Sequence, residues 1–340
     1  MKYFIFFTCL LFEGYLVGFI KKAEIYQWMD RNYTTAIKGV AILTVIWAHS
    51  GARLSIGGIQ FIAGIGVALF LMCSGYGLEI SYEKSGLNGF WKKRLLSVYL
   101  PFWGVELVGL LATGNFTAEK YLRDVCFLKS TTSYGWFMEY IFVCYLVFYA
   151  LKKFVADDKM QMKVLLGTFT VWFMLESVFF ANPDMPFLRA RQMLSFPCGV
   201  LLARNKEQLK QKLDRSKNII ILIVGGAVCV LFMIVTQLNT VKNLPYLISN
   251  TMALLTCLPM AISIMIYGKS FGGLFRNKML AVTGMISYEI YLVHVFTLRI
   301  VKQSAISICI FVLITYILAY ILHLGMRKVK NDRFNSSYIN

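Results

Sequence analysis

The sequence predicts an all-α, polytopic transmembrane helix bundle of about eleven helices. Three observations predict it. Of 340 residues, 58% are apolar and only 15% charged, with a mean hydropathy of +0.63, whereas a soluble domain carries about 25% charged residues. The apolar residues gather into runs of the length a helix needs to cross a bilayer, about 20 residues with ~17 as a lower limit. The basic residues fall in alternate gaps between those runs. A soluble enzyme and a disordered chain are both excluded, and no polar block is long enough for a separate soluble domain.

In chain order the runs lie at roughly 3–20, 34–50, 59–80, 95–112, 134–151, 163–181, 187–203, 218–237, 245–267, 280–300 and 304–325. The first has only Lys2 ahead of it, no small-residue cleavage site, and continues to Ile20 before Lys21 and Lys22, which reads as an uncleaved anchor rather than a signal peptide. Residues 1–29 are then an extra span and loop, 30–326 the membrane domain, and 327–340 a short basic tail. The seventh run is the weakest, because it holds Arg189 and Arg191. The gaps after runs 1, 3, 5, 7, 9 and 11, taken with Lys38 and Lys163 at the starts of the runs that follow, carry 25 of the 35 Lys and Arg residues. Such an excess marks the cytoplasmic side, so a multi-pass plasma membrane protein is expected, with the N-terminus outside and the C-terminus inside. The net charge of +18 is thereby a property of membrane loops and not of a nucleic-acid surface. The eight cysteines are scattered, mostly within apolar runs, and read as small buried hydrophobes, with no disulfide framework, zinc site or other metal centre expected.

Ionisable side chains inside apolar helices are expensive and are candidates for function. They are Glu13, His49, Glu106, Glu139, Glu176, Glu289, His294, Arg299 and His323. The expected topology puts His49, Glu106, Glu139 and His294 in the outer half. Lys38 and His49 share a run and are 11 residues apart, which is nearly the same helix face with ~16 Å between them. A face with a cation at its cytoplasmic end and an imidazole near its outer end suits an anionic substrate that enters from inside and reacts toward the outside. The same spacing also suits a snorkelling lysine and an interfacial histidine. In the third run, small residues at 64, 68, 75 and 77 permit close helix packing, or Ser74-Gly75-Tyr76-Gly77 breaks the helix. Lys92, Lys93 and Arg94 enter the aromatic fourth run, either as an inside anchor or as a clamp for phosphate oxygens. In the tenth run Tyr288, Tyr291 and His294 form one polar stripe, with Glu289 directed toward a different helix.

Taken in order, several of these segments resemble one family. They are Lys38-Gly39-Val40-Ala41-Ile42 with His49, Gly66-Val67-Ala68-Leu69-Phe70 with Ser74-Gly75-Tyr76, the basic entry ending in Tyr99 and Pro101, Trp136-Phe137, and Ile286-Ser287-Tyr288 with Tyr291-Leu292-Val293-His294. The set resembles acyltransferase family 3, integral membrane proteins that transfer acyl groups, usually acetyl from acetyl-CoA, to sugar hydroxyls of surface polysaccharides. The resemblance covers residues 30–325. It implies a core of ten helices, with residues 3–20 as an extra amino-terminal one, and it implies that His49 is catalytic and that Arg94 with its neighbours Lys92 and Lys93 receives the acyl donor. By their expected depth Glu139 and His294 are further catalytic candidates, and by charge and position Lys38 joins the donor-binding residues. A second arginine often found three residues after the first is Ser97 here, so donor contacts shift toward Lys92 or Lys93.

The expected function is an O-acyltransferase that uses acetyl-CoA as donor substrate, keeps no permanently bound cofactor, and acts on a polysaccharide or lipid-linked sugar. His49 serves as general base or as a nucleophile that carries the acyl group, and Glu139, Glu106 or Glu289 is a candidate to orient its ring. A flippase or polymerase-like handler of lipid-linked oligosaccharide has the same helix count and buried charges, but no use for a CoA-binding basic mouth.

Overall fold

The computed structural model describes residues 27–56, 58–128, 135–179 and 188–335, and the chain there is helical throughout, with no β-strand among the described residues. The expected span at 3–20, with Glu13, lies outside the described residues. Helix α1 (Arg31–Arg53) starts at Asp30, whose carboxylate accepts the Tyr33 amide at 2.7 Å, a side-chain cap for an otherwise orphaned donor. It is followed by α2 (Gln60–Ser85), α3 (Phe90–Ala112), the short α4 (Ala118–Val125), α5 (Trp136–Phe154), α6 (Asp158–Val178) and α7 (Ser195–Arg204). The chain continues through α8 (Arg215–Val235), α9 (Tyr246–Leu255), α10 (Leu258–Phe271), α11 (Lys278–Met285), α12 (Ser287–Thr297) and α13 (Ala305–Asn335).

Among the described residues six helical segments are long and apolar enough to cross a membrane, or seven when α11 and α12 count as one bent span. The count of eleven is not reached among them. The run at 187–203 is the clearest departure. It holds a 3-10 turn at Ala190–Gln192 and only the ten residues of α7, about 15 Å of helix against a hydrocarbon core of about 30 Å. The runs at 134–151 and 163–181 do form helices, α5 and α6, of 19 and 21 residues. They carry Glu139, Lys152 and Lys153, and Asp158, Lys159, Lys163 and Glu176, so composition does not mark them as spans. The final helix runs through Arg327 and Lys328 to Asn335, where a separate tail was expected.

Two local features position the later chemistry. In α3 the residues Leu95–Tyr99 are wound as a π-helix, and the Leu100 amide reaches back to the Leu95 carbonyl. Pro101 has no amide hydrogen to give the carbonyl four residues earlier, which loosens the helix there. Tyr288 of α12 uses the opening, and its hydroxyl donates to the Val98 carbonyl at 2.6 Å. The Ser74–Gly77 segment does not break α2, which is continuous from Gln60 to Ser85. Its Gly75 instead lies against the Phe196 carbonyl of α7, and Gly199 of α7 lies against Met72, so small residues let two backbones approach closely.

The second feature is the seam between α1 and α11. A side chain at Gly39 would meet the Leu280 carbonyl, and one at Gly284 would meet the Thr35 carbonyl. Just past Gly284 the chain bends by 74° between α11 and α12. The Ser287 hydroxyl donates to the Gly284 carbonyl at 2.9 Å, supplying a partner at the break, as serine side chains do for interrupted helices. Overpacking a tight contact typically costs about 1–3 kcal/mol. Gly39→Val is therefore expected to lower the midpoint of thermal unfolding in detergent. Gly77→Val, where an added Cβ meets nothing within 4 Å, is expected to leave it in place. Equal midpoints would show that the seam does not carry the packing.

Candidate active site

Helices α1 and α12 bring two of the three histidines to one point. His49 stands one turn before the end of α1, and His294 stands in the last turn of α12. Their rings are parallel within 10°, with centroids 5.2 Å apart, and Nδ1 of His49 lies 3.0 Å from Nε2 of His294. His294 is fully buried and His49 is only 8% exposed. The other nitrogen of His294, Nδ1, is 2.6 Å from the Tyr291 carbonyl oxygen.

These partners determine where the hydrogens sit. A carbonyl oxygen only accepts, so Nδ1 of His294 carries a hydrogen and donates it. In a neutral ring Nε2 of His294 is then the acceptor, and Nδ1–H of His49 donates to it. The lone pair of His49 therefore resides on Nε2. A carbonyl, an imidazole and a second imidazole thus form a chain that fixes a basic nitrogen, as a carboxylate does in hydrolytic triads.

The carboxylates considered as orienting groups for His49 are engaged elsewhere. Glu139 is bonded by the guanidinium of Arg189, which also stands 3.6 Å from Glu176. Glu289 accepts from Nδ1 of His323 on α13 at 2.9 Å, in line with its direction toward another helix. Glu106 neighbours Asp124 of α4. The ring that orients His49 is His294. Glu139, expected beside the histidines as a catalytic carboxylate, is instead paired with Arg189.

The basic entry lies at the start of α3. Lys92 is exposed, and Lys93 and Arg94 are half-buried. The Arg94 guanidinium carbon lies 5.7 Å from the Phe90 ring centroid and 5.6 Å from that of Tyr145, and its buried Nε has no hydrogen-bond partner among the described residues. Lys93 and Arg94 line a narrow crevice with Ser81, Tyr82, Asn88 and Phe148. Lys38 is half-buried on α1, beside Cys73, and is not among the residues lining that crevice.

Tyr82 also borders a larger cleft of about 470 Å³. Glu79 lies in it, and its Oε1 accepts from Lys152 Nζ and from Arg204 Nε, each at 2.8 Å. Both cations also donate to Oε1 of Gln161, at 2.9 and 2.6 Å, so one polar cluster joins α2, α5, α6 and α7. By sequence Lys152 and Arg204 read as loop charges, and Glu79 belongs to no motif. The available signal was an acid at the end of an otherwise apolar run, which needs a buried cation near it.

The acyltransferase family 3 model, described as an acyltransferase domain, matches residues 27–325, nearly the whole chain. No curated protein and no solved structure matches it. The matched region contains both paired histidines, the basic entry and the cleft around Glu79, set among helices apolar enough to span a bilayer. The chain belongs to the acyltransferase family 3, and it is a membrane acyltransferase.

Proposed function

We propose that the protein moves an acyl group, acetyl, from cytoplasmic acetyl-CoA to a sugar hydroxyl of a surface or capsular polysaccharide across the plasma membrane, with the N-terminus outside and the C-terminus inside. The observation that carries this reading is the ordered pair His49–His294, which presents a neutral, oriented base inside a membrane acyltransferase. His49 Nε2 takes the proton of the sugar hydroxyl as that oxygen attacks the thioester carbonyl carbon. The new C–O bond forms, the C–S bond breaks, and the departing CoA thiolate takes the proton back from His49. The products are an ester and free CoA. As His49 becomes cationic, its Nδ1–H bond to His294 strengthens, which lowers the barrier in the manner of a triad's orienting group. In this reading Glu139 acts on the site only indirectly, by holding Arg189.

The donor enters at the basic mouth. Arg94, held on two aromatic faces with an unused donor, suits a phosphate oxygen, and Lys92 and Lys93 add charge beside it. The neighbouring cleft of about 470 Å³ is in the size range of small-ligand sites and gives room for the nucleotide end. Lys38 stands on the same helix as His49, ~16 Å away along the axis, and marks the route of the pantetheine arm between the mouth and the histidines.

Two tests separate these roles. A positioned general base contributes typically 10²–10⁴-fold, so His49→Gln is expected to lower kcat for acetyl transfer by that range with the protein still folded and inserted. His294→Gln, which keeps an acceptor for His49 Nδ1, is expected to lower kcat less. Glycan acetylation at matched protein levels reads both, and an active His49→Gln beside an inactive His294→Gln would reverse the assignment. Removing one charge-assisted contact costs about 1.5–3 kcal/mol. Arg94→Ala should therefore raise the KM for acetyl-CoA about ten- to hundredfold with little change in the acceptor KM. An unchanged donor KM with weakened acceptor use would put Arg94 on the other substrate.

A further inference from the structure

Glu106 lies in the middle of α3 and is 5% exposed, and its Oε1 has no hydrogen-bond partner among the described residues. Asp124, from the short helix α4, is its neighbour and is 4% exposed. A buried carboxylate oxygen left without a donor is costly, and such groups are few in native proteins. An apolar side chain would pack this helix without that cost. Glu106 also lines a cavity of about 20 Å³ with Phe102, Gly135, Met138, Tyr291 and Phe296. That volume admits one water or one hydroxyl group, which needs about 10–15 Å³. Tyr291 is the residue whose carbonyl holds Nδ1 of His294, so one residue links the cavity lining to the histidine pair. The hydroxyl-sized space and the orphaned acceptor oxygen meet at Glu106.

We propose that Glu106 binds the acceptor sugar, with its Oε1 accepting a hydrogen bond from an O–H or N–H group next to the hydroxyl that is acylated. Two neighbouring carboxyl groups disfavour a carboxylate or phosphate at that point, so the acceptor there is a neutral or amine-bearing sugar. This inference rests on the proposed transfer of an acyl group to a polysaccharide.

The test uses the full-length protein in lipid nanodiscs, acetyl-CoA as donor, and as acceptor the surface polysaccharide of the source cells after mild alkaline removal of its esters. Glu106→Gln is close in shape and is expected to raise the acceptor KM at least about tenfold, as for loss of a charge-assisted contact, with the acetyl-CoA KM within about twofold and thermal unfolding unchanged. Asp124→Asn is expected to raise the acceptor KM by less, and it serves as the second variant where Glu106→Gln does not fold. Fragments rich in uronic acid are expected not to compete with the polysaccharide, whereas neutral or amino-sugar fragments compete. An unchanged acceptor KM in both variants, or both KM values moving together, overturns the role of Glu106 while the wild-type transfer stands. A wild-type protein that acetylates no such polysaccharide overturns the proposed acetyl transfer to polysaccharide itself.

Discussion

The contact on which the rest depends is backbone against backbone, where Gly39 of α1 meets Leu280 and Gly284 of α11 meets Thr35. Membrane helices gain little from hydrophobic burial against each other, so close packing of small residues and polar bonds decides how they associate. This seam fixes α11 on α1, and the 74° bend that follows turns α12 so that His294 arrives at His49. The two histidines are 245 positions apart in the chain. Their bond is a product of that seam and bend, not of any local motif.

A low-dielectric interior makes unpaired polar groups costly, and most of the charges here are arranged accordingly. Glu79 gathers Lys152, Arg204 and Gln161 at one end of four helices. Glu139 takes Arg189, and Glu289 takes His323. Breaking a buried pair by removing one member generally costs about 3–5 kcal/mol, so Glu79 is held in place by Lys152 and Arg204. Among the described residues Arg94 and Glu106 have no such ion pair, and each keeps a buried atom without a hydrogen-bond partner and borders a cavity. In the proposed reaction those two atoms meet the donor and the acceptor.

Much of this was legible in the sequence, for definite reasons. Hydropathy reports burial in lipid directly, so the helical bundle and the places of α1, α2, α3, α8 and α13 in the chain follow from apolar run length. The site residues His49, His294 and Arg94 stood out because an ionisable group in or beside an apolar run is costly to keep there. What stayed hidden is tertiary. Run length cannot tell a span from a short helix such as α7, whose ten residues follow Arg189, Arg191 and a 3-10 turn. Counting charges by loop cannot tell that Lys152 and Arg204 turn inward to Glu79. Nor can spacing along α1 reveal that the partner of His49 is an imidazole and not one of three carboxylates, because that depends on the bend after Gly284.

The central claim is that the Tyr291 carbonyl, His294 and His49 form one hydrogen-bonded chain that leaves a lone pair on Nε2 of His49. With only three histidines in the chain, nitrogen-15 NMR of histidine-labelled protein in lipid bilayers reads this directly, with His49→Gln and His294→Gln assigning the signals. At neutral pH both rings are expected to carry their hydrogen on Nδ1, and magnetisation is expected to pass between Nδ1 of His49 and Nε2 of His294 across their hydrogen bond. A hydrogen on Nε2 of either ring, with no transfer between the two, would contradict the claim.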